Sequence, residues 1–236
     1  MIQLVKYLEE NSIPFDEETL RKFEAYRDGI LQWNEFVNLT AIRDPKEFVL
    51  KHFVDSVTCY NTIEYGEADV VLDLGTGAGF PGVPLAILSP EKKFVLVDSL
   101  NKRLKIIEEL CDAIGISNVV TEHGRAEDLS RKEEHREMYD ICISRAVANL
   151  NVLCEYCLPF VKMGGYMVAY KGAEAEKEIE EAQGALKILG ATDYRIHNAS
   201  IGEEGSRHKI LMVKKGKKTP SKYPRKAGTP TKEPLK

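Results

Sequence analysis

The 236-residue chain predicts an α/β protein, with a mainly parallel sheet finished by a terminal antiparallel hairpin and preceded by a helical N-terminal region. Three observations carry this. Apolar residues in the first sixty positions recur at helical spacing, short β-branched runs alternate with amphipathic stretches from residue 70 onward, and the first of those runs ends in a glycine-rich turn. Such alternation is what βαβ units with right-handed crossovers produce, and it buries the sheet on both faces.

Leu4, Tyr7 and Leu8 mark a first helix, and Leu20, Phe23, Arg27, Ile30, Leu31 and Trp33, after Pro14, mark a longer second one. A third begins at Asp44-Pro45-Lys46-Glu47, which offers an N-cap, a proline at the first helical position and a reciprocal acid at the third. At about 100° per residue, Val49, Leu50, Phe53, Val54 and Val57 fall on one arc of this helix. His52, Asp55 and Ser56 fall on the other, where they face either solvent or a pocket. Residues 1–60 are therefore expected to form a helical region packed on a core domain of residues 61–213.

Within that domain the strands are VVLDLG, KFVLVDS, NVVTEHG, YDICISR and GGYMVAYKG. The helices between them are PGVPLAILS, NKRLKIIEELCDAIG, NVLCEYCLPFV and EAEKEIEEAQGALKILG. The acids of the last (Glu174, Glu176, Glu178, Glu180, Glu181) are expected on a solvated face away from any polyanion. DYRIHNAS and RHKILMVKK, joined through the glycine-bearing stretch 201–205, form the hairpin.

Hydrophobic residues at 43% and charged residues at 30% are a globular balance. The net charge of −4 argues against a nucleic-acid partner only while it is treated as an average: residues 214–236 hold nine Lys/Arg against one acid, +8, leaving −12 for residues 1–213. With four prolines and few apolar groups, the segment after Val213 is expected to be a flexible basic tail. Five scattered cysteines imply reduced thiols and a cytoplasmic protein, Cys154 and Cys157 being core residues rather than zinc ligands, and no metal site is expected. No apolar run reaches the roughly 18 residues of a spanning helix.

Gly75-Thr76-Gly77-Ala78-Gly79-Phe80-Pro81-Gly82 closes the first strand, at the sheet end where open α/β folds bind ligands. Glycines let a ligand approach the backbone. Asp98, at the end of the second strand, is placed to accept both hydroxyls of an adenosine ribose, so an adenosine-containing cofactor follows. Gly77, Gly79 and Gly82 fit the dinucleotide pattern, which keeps an NAD-dependent oxidoreductase open. The full form, Asp73-x-Gly-x-Gly-x-Gly, resembles the S-adenosylmethionine loop of methyltransferases.

Several blocks in order then resemble one family, the small-subunit (16S) ribosomal RNA guanine-N7 methyltransferases called RsmG or GidB. They are Asn38-Leu39-Thr40-Ala41-Ile42, Lys51-His52 with Asp55-Ser56, the loop from Leu72 to Gly82, and Asp98-Ser99-Leu100 with Lys102-Arg103. Gly124-Arg125-Ala126-Glu127, Ile143-Ser144-Arg145-Ala146 and Lys171-Gly172 continue the series; the match fades after Gly172.

The resemblance implies a Rossmann-like class I methyltransferase sheet and S-adenosylmethionine held at Gly75, Phe80, Asp98, Ser99, Ala126, Glu127 and Arg145, to which the glycine loop adds Gly77 and Gly79. It also implies a guanine of small-subunit rRNA, alone or in a ribosomal particle, as substrate of a monomeric enzyme. Guanine N7 carries an in-plane lone pair, so no general base is expected and the work is positioning. Arg145 is the candidate positioning residue; His52, Lys102 and Arg103 are the candidate RNA contacts, with Arg125 and Lys171 also near the pocket mouth. A non-catalytic ribosome-associated module, using the basic tail, is the third reading.

Overall fold

The computed structural model describes residues 1–201 and 206–236. Three helical segments open the chain: α1 (Ile2–Glu10), α2 (Glu17–Trp33) and a run composed of α3 (Pro45–Phe48), a π-helical turn (Val49–Val54) and α4 (Asp55–Val57). A short α5 (Ile63–Gly66) leads into the alternating part: β1 (Val70–Leu74), α6 (Gly82–Leu88), β2 (Lys93–Asp98), α7 (Asn101–Ile114), β3 (Val119–His123), α8 (Ala126–Leu129) and β4 (Tyr139–Arg145). There follow α9 (Leu150–Cys157), β5 (Val161–Lys171), α10 (Ala175–Leu189), β6 (Ala191–Ile201), β7 (Ser206–Lys215) and α11 (Thr229–Lys232).

The sheet order is β3-β2-β1-β4-β5-β7-β6, with β1 to β5 parallel and β7 antiparallel to both its neighbours. The chain leaves β1 in one direction and returns at β4 in the other, so the crevice outside their carboxyl ends is the topological switch point. Strand alternation divides the core. Val71, Phe94, Ile141, Ile143, Val168 and Met212 face the layer that carries the N-terminal helices. Leu72, Val97, Cys142, Ala169, Leu211 and Val213 face α9 and α10. All five thiols are buried and free, Cys154 and Cys157 in the second core. The hairpin connection expected at 201–205 lies, from residue 202, outside the described residues.

Three expectations need correction. The capping box falls on α2, where Asp16 and Thr19 exchange bonds, whereas Asp44 caps the Lys46 and Glu47 amides at 3.0 and 2.8 Å and Glu47 turns to Lys51 instead. A π turn at residues 49–54 interrupts the uniform helical wheel; Val49, Phe53, Val54 and Val57 are still buried as its apolar arc predicts, but Asp55 and Ser56 on the polar arc are buried as well, Asp55 at a cavity wall.

The basic tail does not stand free of the domain. Lys214 and Lys215 belong to β7, and the rest crosses the α9/α10 face as a strap. Burial pushes the Lys215 ammonium down, and it donates to the Leu158 carbonyl at 2.6 Å and Thr219 Oγ1 at 2.8 Å, with Glu137 at 3.1 Å. Arg225 grips the fully buried Glu155 with two nitrogens, at 2.9 and 2.7 Å, and Arg136 gathers the Thr219 and Tyr223 carbonyls at 2.9 and 3.0 Å. The strap is ordered by polar anchoring, which an argument counting only apolar burial misses.

Candidate functional site

The carboxyl ends of β1, β2 and β4 open onto three cavities of ≈ 590, ≈ 380 and ≈ 280 Å³. The second and third share Gly75, Asp98, Ser99 and Val147 and together make one cleft along the glycine turn. Phe80, Arg103 and Arg145 line its middle, and Arg125, Ala126, Glu127 and Tyr156 its far end.

The turn is shaped from inside. Asp73 Oδ2 accepts from Thr76 Oγ1 at 2.7 Å and the Gly82 amide at 2.8 Å; burial pushes this carboxyl up to about 6, and its Oδ1 has no hydrogen-bond partner among the described residues. Asp98 Oδ2 accepts from the Gly77 amide at 3.0 Å and its Oδ1 from the Leu100 amide at 2.8 Å, so both oxygens are oriented while keeping a lone pair each for a diol. Gly79 is turned away from the cleft. A Cβ there would meet Tyr26 Oη at 2.1 Å, and that hydroxyl donates to the Ala78 carbonyl at 2.9 Å, so α2 buttresses the turn from behind.

The turn discriminates between the two cofactor readings. A dinucleotide pyrophosphate needs free turn amides. The amides of Gly75, Thr76, Gly77, Gly79, Phe80 and Gly82 are all bonded within the protein, two of them to carboxylates. Apart from that of Ala78 the turn's amides are committed, and the Asp98 carboxylate lines the cleft, which suits a cationic ligand better than a diphosphate.

The ≈ 590 Å³ cavity meets this cleft at His52, Arg145 and Ala146, which line both. Arg145 is locked at the junction: Nη1 donates to Asp55 Oδ2 at 2.6 Å and the Lys51 carbonyl at 3.0 Å, Nη2 to His52 Nδ1 at 3.2 Å, and the guanidinium lies 5.5 Å from the Phe80 ring centre. Because His52 Nδ1 accepts, its Nε2–H donates to Thr40 Oγ1 at 2.7 Å, and the ring stacks on Phe80 at 4.4 Å. Burial and then Arg145 push the His52 imidazolium down to about 3, so the ring is neutral and both nitrogens are spent inside the protein. His52 therefore aligns Arg145. The motif residue Thr40 is itself held by Asn34, whose Oδ1 accepts from its amide at 3.0 Å.

Of the other expected cations, Arg103 lines the cleft 3.8 Å from Asp98 Oδ2 rather than facing outward. Lys102 is exposed and lines none of the three cavities. Lys171 lines the large cavity, with Nζ on Glu178 at 2.7 Å and the Ala148 carbonyl at 3.0 Å. Glu178 also accepts from the Leu150 amide, and Glu176 binds Lys209. The acids opening α10 thus neutralise cations at the cavity rim, against the expectation of a face turned away.

Sequence reasoning missed His208. From β7 it reaches Asp55 Oδ1 with Nδ1 at 2.9 Å, across 153 residues of chain. That bond to Asp55 raises the His208 imidazolium, while burial would raise the Asp55 carboxyl but His208 and Arg145 hold it below its ordinary value. Only the topology, with β7 beside β5, brings the pair together.

Comparison with known proteins agrees with this geometry. A family model described as GidB, rRNA small subunit methyltransferase G, matches residues 19–209. "Ribosomal RNA small subunit methyltransferase G" of Clostridium tetani is 44% identical over 224 residues, covering 95% of this chain and 94% of that protein. The protein of the same name from Alkaliphilus oremlandii is 45% identical over 225 residues, covering 95% and 94%. Among solved structures, the O-methyltransferase from Bacillus cereus in complex with SAH superposes with a TM-score of 0.58 at 18% identity, covering 89% of this chain and 96% of that one. At that identity the likeness is one of fold.

Proposed function

The chain belongs to the rRNA small subunit methyltransferase G family, and from that premise we propose that the junction at Arg145 is where N7 of a guanine in small-subunit ribosomal RNA receives its methyl group. The enzyme is an S-adenosylmethionine-dependent rRNA methyltransferase. One observation carries the placement: a cofactor cleft bearing Asp98 and the glycine turn, and a separate ≈ 590 Å³ cavity large enough for a base, meet at His52, Arg145 and Ala146.

The residues present fit the cofactor. Gly75, Gly77 and Phe80 would flank its methionine portion, Asp98 and Ser99 its ribose, and Ala126 and Glu127 its adenine. When bound, S-adenosylmethionine supplies an electrophilic methyl carbon on a sulfonium centre. The protein's part is geometry. Guanine N7 needs no deprotonation, and the junction matches that: His52 is neutral with both nitrogens bonded, and Asp55 is held by Arg145 and His208. Arg145, fixed by three acceptors and Phe80, forms a rigid wall between cleft and cavity. Leu50, Tyr170 and Ile201 line the cavity with apolar surface and exclude water from an approaching base. Positioning of this kind can supply about 7–11 kcal/mol of barrier lowering.

No helix among the described residues is long and apolar enough to cross a membrane, and the reading places the enzyme, as a monomer, in the cytoplasm with its rRNA. Mass spectrometry of small-subunit rRNA from a deletion strain tests the function: loss of one N7-methylguanosine is expected, and an unchanged level contradicts it.

A further inference from the structure

The C-terminal strap, whose composition points to an RNA tether, passes behind the cofactor cleft. The Gly228 amide donates to Glu127 Oε1 at 3.2 Å, and Thr231 Oγ1 shares a 3.0 Å hydrogen bond with Tyr156 Oη. Glu127 and Tyr156 both line the ≈ 280 Å³ far end of the cleft. We propose that residues 227–236 are a backing wall behind the lining of the cofactor site, with Gly228 and Thr231 as positioning residues that fix Glu127 and Tyr156 for the adenine of S-adenosylmethionine. The inference rests on the cofactor reading above.

The wall is anchored at both ends. Upstream, Arg225 holds Glu155 on α9 through its side chain and, at 2.7 Å, through its backbone amide. Downstream, Pro230 is buried, Leu235 packs on the core formed by α9 and α10, and the last carbonyl lies over Gly184. A Cβ at Gly184 would meet the Lys236 carbonyl oxygen at 1.9 Å. Glycine is the least favourable helix-interior residue after proline; here, in the middle of α10, it leaves the space that the Lys236 backbone occupies.

At the cleft, this seating orients an acceptor. Glu127 is nearly buried, its Oε1 takes the Gly228 amide, and its Oε2 makes no hydrogen bond among the described residues. A carboxylate oxygen so held matches the exocyclic amine of an adenine, a donor. Tyr156, tethered by Thr231, is held as the adjoining wall. Orienting groups before the ligand arrives raises affinity by removing the cost of ordering them afterwards.

The test compares the full chain with one ending at Lys226, which keeps the Lys215, Thr219, Tyr223 and Arg225 anchors. Calorimetry with S-adenosylmethionine should give a Kd about tenfold weaker for the shorter chain, and kinetics a matching rise in the cofactor KM. The kcat at saturating cofactor and the KM for RNA should stay unchanged. Equal cofactor affinity in the two chains, or a loss confined to RNA, overturns the proposal. Should the shorter chain fold poorly, Thr231→Val and Tyr156→Phe address one contact: each should weaken cofactor binding about threefold and the double variant no further. No loss in either, or fully additive losses, contradicts it. If the full chain itself fails to bind S-adenosylmethionine, the methyltransferase reading falls and this inference with it; unchanged cofactor affinity in the shortened chain removes only the inference.

Discussion

The two ends of the chain cover opposite faces of the same sheet by different physics. The N-terminal helices bury Phe23, Tyr26, Ile30, Phe48 and Phe53 completely against one face, with Phe53 at 4.9 Å from Phe23 and 5.3 Å from Phe48 between ring centres. The C-terminal strap contributes Tyr223, Pro230 and Leu235 to the other face and is otherwise held by Lys215, Arg136, and Arg225 on Glu155. Apolar burial is non-directional and leaves a periodic trace in sequence; polar anchoring is directional, and its partners are scattered along the chain.

The largest effect should come from the apolar end. Phe53→Ala removes a ring packed among Phe23, Phe48 and Phe80 and should cost about 3–5 kcal/mol in denaturant unfolding. A loss below 1 kcal/mol would mean that the N-terminal layer is not part of the core.

Next comes the polar anchor. Arg225→Ala strands the buried Glu155 carboxylate and should cost about 2–4 kcal/mol, whereas Glu155→Leu with Arg225→Leu should recover most of it. Equal loss in single and double variants would show that the strap is held by packing alone, which would erase the contrast.

Smaller again is the buttress. Tyr26→Phe deletes the hydroxyl that donates to the Ala78 carbonyl and should cost about 1 kcal/mol, with weaker cofactor binding, because the glycine turn loses its backing. Unchanged affinity would confine α2 to a structural role.

The smallest concerns His208. Its imidazolium is raised, so its contribution is complete below about pH 6.5 and fades as pH rises through the raised value. Asp55 is held low, so its share persists until pH falls through its depressed value. The stability gap between the native protein and His208→Gln should therefore shrink as pH rises from about 6.5 through the raised value. His208 is 41% exposed, so the gap will be small. A gap that is constant with pH would contradict the pairing.

What was legible in the sequence follows the same division. Short apolar runs such as 70–74 and 139–145 assigned the strands and a sheet buried on both faces, and Asp98 was placed by its position at a strand end; which residue faces which core came from the structure. The polar arc at His52 was visible, and of its two readings the pocket holds for His52 and Asp55; the burial of Asp55 and Ser56 was not visible, because it depends on the surrounding chain. His208 and the strap were invisible. His208 needs a strand 153 residues away, and Glu155, Glu137 and Glu127 carry no mark of their distant partners. The −4 average, and even its division into −12 and +8, treats as separate two parts that are joined by buried ion pairs.

The claim at the centre is that one junction, walled by Arg145, brings a guanine N7 to the methyl group of S-adenosylmethionine. The most direct measurement supplies methyl-labelled S-adenosylmethionine to the purified protein with deproteinised small-subunit rRNA and with intact subunits, then digests the RNA and identifies the labelled nucleoside. Label in N7-methylguanosine alone, abolished by Arg145→Ala in a folded variant, is the expected result. Label on any other atom, or undiminished transfer by the Arg145 variant, would contradict the account.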